Sequence, residues 1–164
     1  MSKRPPSSHR FAARFSAALL AAVSLAGCGG GGSAPKPLSM AQFVSRANAI
    51  CSKGNKRINA LHEPTDVPGI ATYMAAALPI AEEVQTKLGA LVPPTGDQKQ
   101  YTRVLGLLAQ AISKVSEVRS AAEAGEEQRV RRLSNDLAAL QQREDGANEE
   151  LGLKQCVGNG ETEG

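Results

Sequence analysis

Residues 95–125 read TGDQKQYTRVLGLLAQAISKVSEVRSAAEAG, and this stretch decides the fold class. Tyr101, Val104, Leu105, Leu108, Ile112, Val115, Val118 and Ala122 recur at steps of three and four. That spacing lines up one face of an α-helix. Thr95-x-x-Gln98 fits a capping box at the start, and Gly125 suits the left-handed residue just past a helix end. No period-two alternation competes with this pattern.

Upstream, a second amphipathic run opens near Asp66, with Pro68 tolerated in its first turn. It carries Ile70, Tyr73, Met74, Ala77, Ala81, Val84, Leu88 and Leu91 and stops at Pro93-Pro94. Further back, Ser39-x-x-Gln42 fits a capping box for a run through Met40, Phe43, Ala47, Ile50, Cys51, Gly54, Ile58 and Leu61, ended by Glu63-Pro64. Downstream, Glu126 and Glu127 suit a helix N-terminus. Val130, Leu133, Leu137, Leu140, Ala147 and Leu151 follow in register, and the helix unwinds near Gly152. Four helices joined by short turns make antiparallel neighbours. The expected fold is all-α, an antiparallel up-down-up-down four-helix bundle over 39–157, with 158–164 as a tail.

Composition agrees. The 164-residue chain is of one-domain length, and its aromatic content is 3%. After Cys28 only Phe43, Tyr73 and Tyr101 are aromatic, so the core must be built from Ala, Leu, Val and Ile. Such residues suit close-packed helices better than a β-sandwich.

The region before the bundle has a different character. Residues 1–14 are basic, and Phe15 to Gly27 is a short apolar run of about 20 Å as a helix, against a hydrocarbon core of about 30 Å. This reads as a signal-peptide h-region rather than a stable span. Leu25-Ala26-Gly27-Cys28 then resembles the lipobox of bacterial lipoproteins. The resemblance implies removal of 1–27 as a signal peptide and acylation of Cys28 by diacylglyceryl and fatty-acyl chains such as palmitate. Two acyl chains give stable anchoring where one gives only marginal binding. Residues 28–38 become a Gly/Ser/Pro tether with an r.m.s. span of roughly 17 Å. The implied location is extracytoplasmic, lipid-anchored to the outer face of the plasma membrane, or to the outer membrane if the cell has one.

This division also explains the charge. Of nineteen basic residues, Lys3, Arg4, Arg10 and Arg14 precede Cys28, leaving fifteen against sixteen acids. A near-neutral domain offers no electrostatic case for nucleic acid. The cysteines divide likewise. Cys28 belongs to the lipobox, and Cys51 and Cys156 remain. In an exported protein two such thiols pair as a disulfide or stay separately buried, and pairing is the expectation.

Residue types for chemistry are scarce. His9 leaves with the signal segment, and His62 suits the C-terminal dipole of helix one. No Glu-x-x-His or Cys-x-x-Cys-His motif occurs, so no metal, haem or other cofactor is expected. Glu144 stands on the helix-four seam where an aliphatic residue belongs. It reads as leaning to the surface or pairing with Arg46 or Arg103, with a polar binding spot as the alternative. Pro79, inside helix two, deletes the hydrogen bond to the Ala75 carbonyl and should kink the helix. With Met74 and Leu78 it marks a candidate ligand gap. The basic groups Lys53, Lys56, Arg57 and Arg129, Arg131, Arg132 have acids interleaved and read as solvated faces.

The region 39–156 is also similar to small Ala-rich helical lipoproteins of bacteria. Ala49-Ile50-Cys51, Pro79-Ile80, Leu91-Val92-Pro93-Pro94 and Leu151-Gly152-Leu153-x-x-Cys156 carry that likeness. It implies a fold and a Cys51–Cys156 disulfide, and no activity. The functional expectation is a membrane-anchored binding or interaction module whose partner is an envelope protein or a small molecule. A ligand- or metal-binding helical domain is the alternative, and an enzyme using bundle carboxylates is the least favoured.

Overall fold

The computed structural model describes residues 36–158. The lipobox with Cys28, the signal segment, the tether up to residue 35 and the end of the tail, 159–164, lie outside the described residues. The described chain forms α1 (Met40–Ile58), α2 (Val67–Gly89), α3 (Gln98–Glu123) and α4 (Glu127–Glu150), followed by a short 3₁₀ turn at Lys154–Cys156. Among the described residues there is no strand, and no helix is long and apolar enough to cross a membrane.

The helix starts follow side-chain chemistry at two of four positions. Ser39 and Gln42 form a reciprocal capping box, each backbone N–H donating to the other's side-chain oxygen at 3.3 Å. Asp66 Oδ1 accepts from the Gly69 N–H at 2.7 Å, with Pro68 in the first turn of α2. The expected Thr95 cap is corrected. Asp97 N–H donates to the Pro94 carbonyl, so Thr95 and Gly96 are used up in a turn and α3 begins at Gln98.

The helix ends show how far proline reaches. A helical proline clashes with the carbonyl four residues earlier and offers it no N–H. Pro93 therefore acts at Gly89, where α2 stops, rather than at Leu91. Helix α1 ends at Ile58, short of the expected Glu63-Pro64 boundary. Leu61 and His62 consequently lie in the connecting loop. Helices α3 and α4 end alike, with Gly125 and Gly152 at φ 71° and 72°. Glu126 N–H reaches the Ala121 carbonyl and Leu153 N–H reaches the Asn148 carbonyl, the six-to-one bond of the Schellman motif.

Helix α1 packs on α2, α2 on α3, and α3 on α4, while the 3₁₀ turn touches both α1 and α4. One core cluster gathers Phe43, Ala47, Cys51, Leu88, Tyr101, Val104 and Leu140, with Leu151 and Leu153 beyond the end of α4. A second holds Val118, Ala121, Ala122, Val130 and Leu133 against Val67, Ile70 and Met74. Helix α1 contributes nothing to the second cluster. At 19 residues it is about 28 Å long against about 39 Å for the 26 residues of α3. Its cover runs out, and a three-helix section continues below. Gly54 sets the α1–α2 spacing, because a Cβ there would come within 2.5 Å of Val84 Cγ2.

Cys51 and Cys156 are joined by a disulfide with Cα atoms 5.0 Å apart. Around it, Asn48 donates to the Gly152 carbonyl and accepts from the Gln155 N–H at 3.0 Å, and Asn55 donates to the Gln155 carbonyl at 2.8 Å. These contacts tie α1 to the C-terminal turn.

Candidate functional site

Where α1 gives out, a cleft of about 250 Å³ opens between the helices. Its apolar lining comes from Cys51 and Ile58 on α1, Met74, Ala77, Ala81 and Val84 on α2, Leu108, Ala111 and Val115 on α3, and Leu137 on α4. The cleft joins the two core clusters, drawing Ala111 and Leu137 from one and Met74 from the other. At about 30 Å³ per water this space equals roughly eight waters, enough for a small organic molecule. Exposed Gln141 and Gly158 among its lining place a mouth at the surface.

One wall is polar. Gln141, Glu144 and Asn148 stand at spacings of three and four on α4, which puts them on one face. Asn148 is 1% exposed, and its Nδ2 donates to the Cys156 carbonyl at 3.1 Å. Its Oδ1 has no hydrogen-bond partner among the described residues. An orphaned acceptor of this kind costs about 1–3 kcal/mol.

Glu144 also lines the cleft, and burial, with a smaller push from the neighbouring Asp145 charge, raises its carboxyl to about 7. The expected pairing with Arg46 or Arg103 is corrected. Among the described residues Glu144 makes no ion pair, and both arginines are exposed and outside the lining. Asp145 is partly engaged, accepting from the Gly158 N–H at 2.6 Å. No Lys, Arg or His lines the cleft.

The Glu144 shift has a consequence for stability. In the unfolded chain the carboxyl titrates near 4.5, so folding takes up a proton between pH 4.5 and about 7. Stability should therefore fall as pH rises through that window and level off above it. The opposing case, Glu83, is held down to about 2 by Lys87 and then Arg57, and acts only below 4.5. Glu144→Gln should flatten the slope and raise stability at pH 8 by about 1–2 kcal/mol, less than the full linkage value because the group is partly exposed. Urea unfolding at pH 5, 6, 7 and 8 checks this.

The other singled-out residues fall differently. Met74 lines the cleft, whereas Leu78 and Pro79 do not. Pro79 is exposed on the outer side of α2, and the helix continues through it. Ile80, absent from the expected stripe, is 6% exposed and faces inward. His62 is exposed, four residues past the end of α1, so the dipole role does not apply. It borders a separate hollow with Glu63, Thr65 and Tyr73. Among the described residues no group of three metal-ligating side chains occurs.

Asn148 was the residue that sequence reasoning missed. The apolar seam of α4 runs Leu137, Leu140, Ala147 and Leu151, and Asn148 is adjacent to it. A signal existed, since Gln141, Glu144 and Asn148 extend one face upward from Leu137 in polar residues only. Comparison with protein-family models, curated proteins and solved structures finds no match.

Proposed function

We propose that this chain is an extracytoplasmic lipoprotein, anchored through acylated Cys28, whose helical domain binds a small apolar molecule and catalyses no reaction. The observation that carries the binding part is the cleft, lined by apolar side chains from all four helices, with Gln141, Glu144 and Asn148 along one wall. Default ligand sites have this character, mostly apolar with a few convergent polar groups. The anchor rests on the basic start, the short apolar run, Leu25-Ala26-Gly27-Cys28 and the Gly-rich tether. A disulfide between Cys51 and Cys156 fits an oxidising compartment outside the cytoplasm.

The reading includes the up-down-up-down order. Leu38 N–H donates to the Val92 carbonyl, Tyr101 Oη to the Leu88 carbonyl at 2.8 Å, and Gln100 to Glu150 at 2.8 Å. Each pairs the start of one helix with the end of another, which supports antiparallel neighbours. In that order the tether joins the end of the bundle that holds Gly152.

Mass spectrometry of the membrane fraction should find a diacylglyceryl adduct on a peptide beginning at Cys28. An unmodified, soluble protein would refute the anchor. For the cleft, the protein should bind one equivalent of an apolar fluorescent probe, and Ala81→Leu, which fills the space, should abolish that binding. Probe binding that ignores Ala81→Leu would place the apolar site elsewhere.

A further inference from the structure

We infer that the cleft takes the alkyl chain of a separate, single-chain lipid with an uncharged head group, the chain lying along the helix axes. This rests on the binding reading above and adds the chemical class of the ligand.

Three observations lead there. The first is the direction of the cleft. Its lining runs from Tyr73 to Leu88 on α2 and from Leu137 to Asn148 on α4, about 22 Å and about 16 Å of helix. A volume of about 250 Å³ drawn out over that distance has a mean section of about 11–16 Å². A rigid ring system leaves most of such a slot empty, whereas an extended chain follows it. The second is capacity. A methylene takes about the space of one water, about 30 Å³, so the cleft holds about eight of them. With the carbons that reach the mouth, this makes a chain of about ten. An extended chain advances about 1.2 Å per bond, as the backbone does, so ten carbons need about 12 Å and fit lengthwise.

The third is charge at the entrance. Helix α1 packs on α2 and α4 on α3, and the side between α1 and α4 is bridged by the terminal turn. Exposed Gln141 and Gly158 mark where the cleft meets solvent on that side. No Lys, Arg or His lines the cleft, and the carboxyl groups of Glu144 and Asp145 stand on its wall. A carboxylate or phosphate head therefore finds no counter-charge and meets acids instead. A hydroxyl or ester head needs no counter-charge and can bond to Gln141 or to water at the mouth. The far end, toward Met74 and Val115, takes the chain terminus. The acyl chains on Cys28 are not the occupant, because stable anchoring needs two chains in the bilayer.

The test uses the full chain as Cys28→Ser, which carries no lipid and so keeps the probes out of a bilayer. Linear 1-alkanols from hexanol to tetradecanol are the probes, read by displacement of the apolar dye. Each two added carbons should tighten binding about tenfold until about ten carbons, where affinity levels off. The caged 1-adamantanol, with as many carbons as 1-decanol, should bind about tenfold more weakly than it, and so should decanoate at pH 8. Val115→Phe fills the far end and should move the levelling-off point about two carbons shorter, while Val115→Ala should move it about one to two longer. Both variants should keep the far-ultraviolet helix signal. A flat length series, a levelling-off point that ignores both Val115 variants, or a cage that binds as tightly as the chain would overturn the inference and leave the apolar site standing. Decanoate binding as tightly as decanol would overturn the uncharged head. In the acylated chain in nanodiscs, a diazirine-bearing decanol should label the same cleft peptides as in Cys28→Ser. Labelling lost only in the acylated chain would make its own acyl group the occupant and overturn the separate lipid. If neither the alkanols nor the dye saturates, the binding reading itself fails.

Discussion

Replacing Cys51 and Cys156 together by alanine should lower the unfolding free energy by about 3–5 kcal/mol. The crosslink closes a separation of 105 residues, nearly the whole described domain. In the chain-entropy account a loop of that size contributes close to 4.7 kcal/mol, and strain or residual structure reduces it. The bond also sits where the fold has least redundancy. Helix α1 packs on α2 and, through Phe43, on Tyr101 of α3, and it is further tied to the terminal turn by Asn48, Asn55 and this disulfide. Without the bond the turn should open first, so amides of Gln155 and Cys156 should exchange early, ahead of those in α3. Cys51 and Cys156 both line the cleft, so ligand affinity should drop alongside stability. Reduction of the unaltered protein should reproduce the direction of each change, which separates the bond from the loss of sulfur atoms. A stability change under about 1 kcal/mol would mean that the crosslink contributes little to the fold.

The sequence reading recovers the helices because a three-and-four spacing leaves few alternatives, and because Ser39, Asp66, Gly125 and Gly152 are chemically suited to the positions they occupy. It goes astray where an effect acts at a distance along the chain. Pro93 obstructs the carbonyl of Gly89, where α2 ends, and α1 stops at Ile58, six residues before Pro64. The Thr95 motif matches a cap in one dimension, but the Pro94 turn consumes it. The site was half legible. Glu144 shows as a charged residue on an apolar seam, and Met74 borders the cleft. The cleft itself depends on where α1 stops, at Ile58. Asn148 needed the structure, since an Asn next to a seam looks like any surface residue until its neighbours are placed.

The largest single-residue loss is expected at Phe43. Truncation to alanine should cost about 3–5 kcal/mol, the usual range for a fully buried phenylalanine. Phe43 is 0% exposed, and its ring meets Tyr101 edge-on at 4.7 Å between centroids and 89° between planes. Such a pair adds about 0.5–1.5 kcal/mol beyond its burial. Tyr101 in turn donates to the Leu88 carbonyl at 2.8 Å, near the end of α2, and its burial pushes the phenol pKa upward. Phe43 thus braces α1 against the start of α3 while Tyr101 braces α3 against α2. With no tryptophan and a core otherwise made of small aliphatic side chains, no neighbour is large enough to fill the space. A domain of this size is stable by about 5–15 kcal/mol, so the variant should lose a large share of its stability. Phe43→Leu retains most of the volume and should cost roughly 1–2 kcal/mol, the difference reporting the aromatic pair and the residual void. Urea titration gives both values. Near-ultraviolet circular dichroism, to which only Tyr73, Tyr101, Phe43 and the disulfide contribute among the described residues, should show the Tyr101 band collapse in Phe43→Ala before the far-ultraviolet helix signal changes. If that band persists unchanged in the alanine variant, Tyr101 is fixed by its hydrogen bond to Leu88 alone, and Phe43 braces α1 without ordering α3.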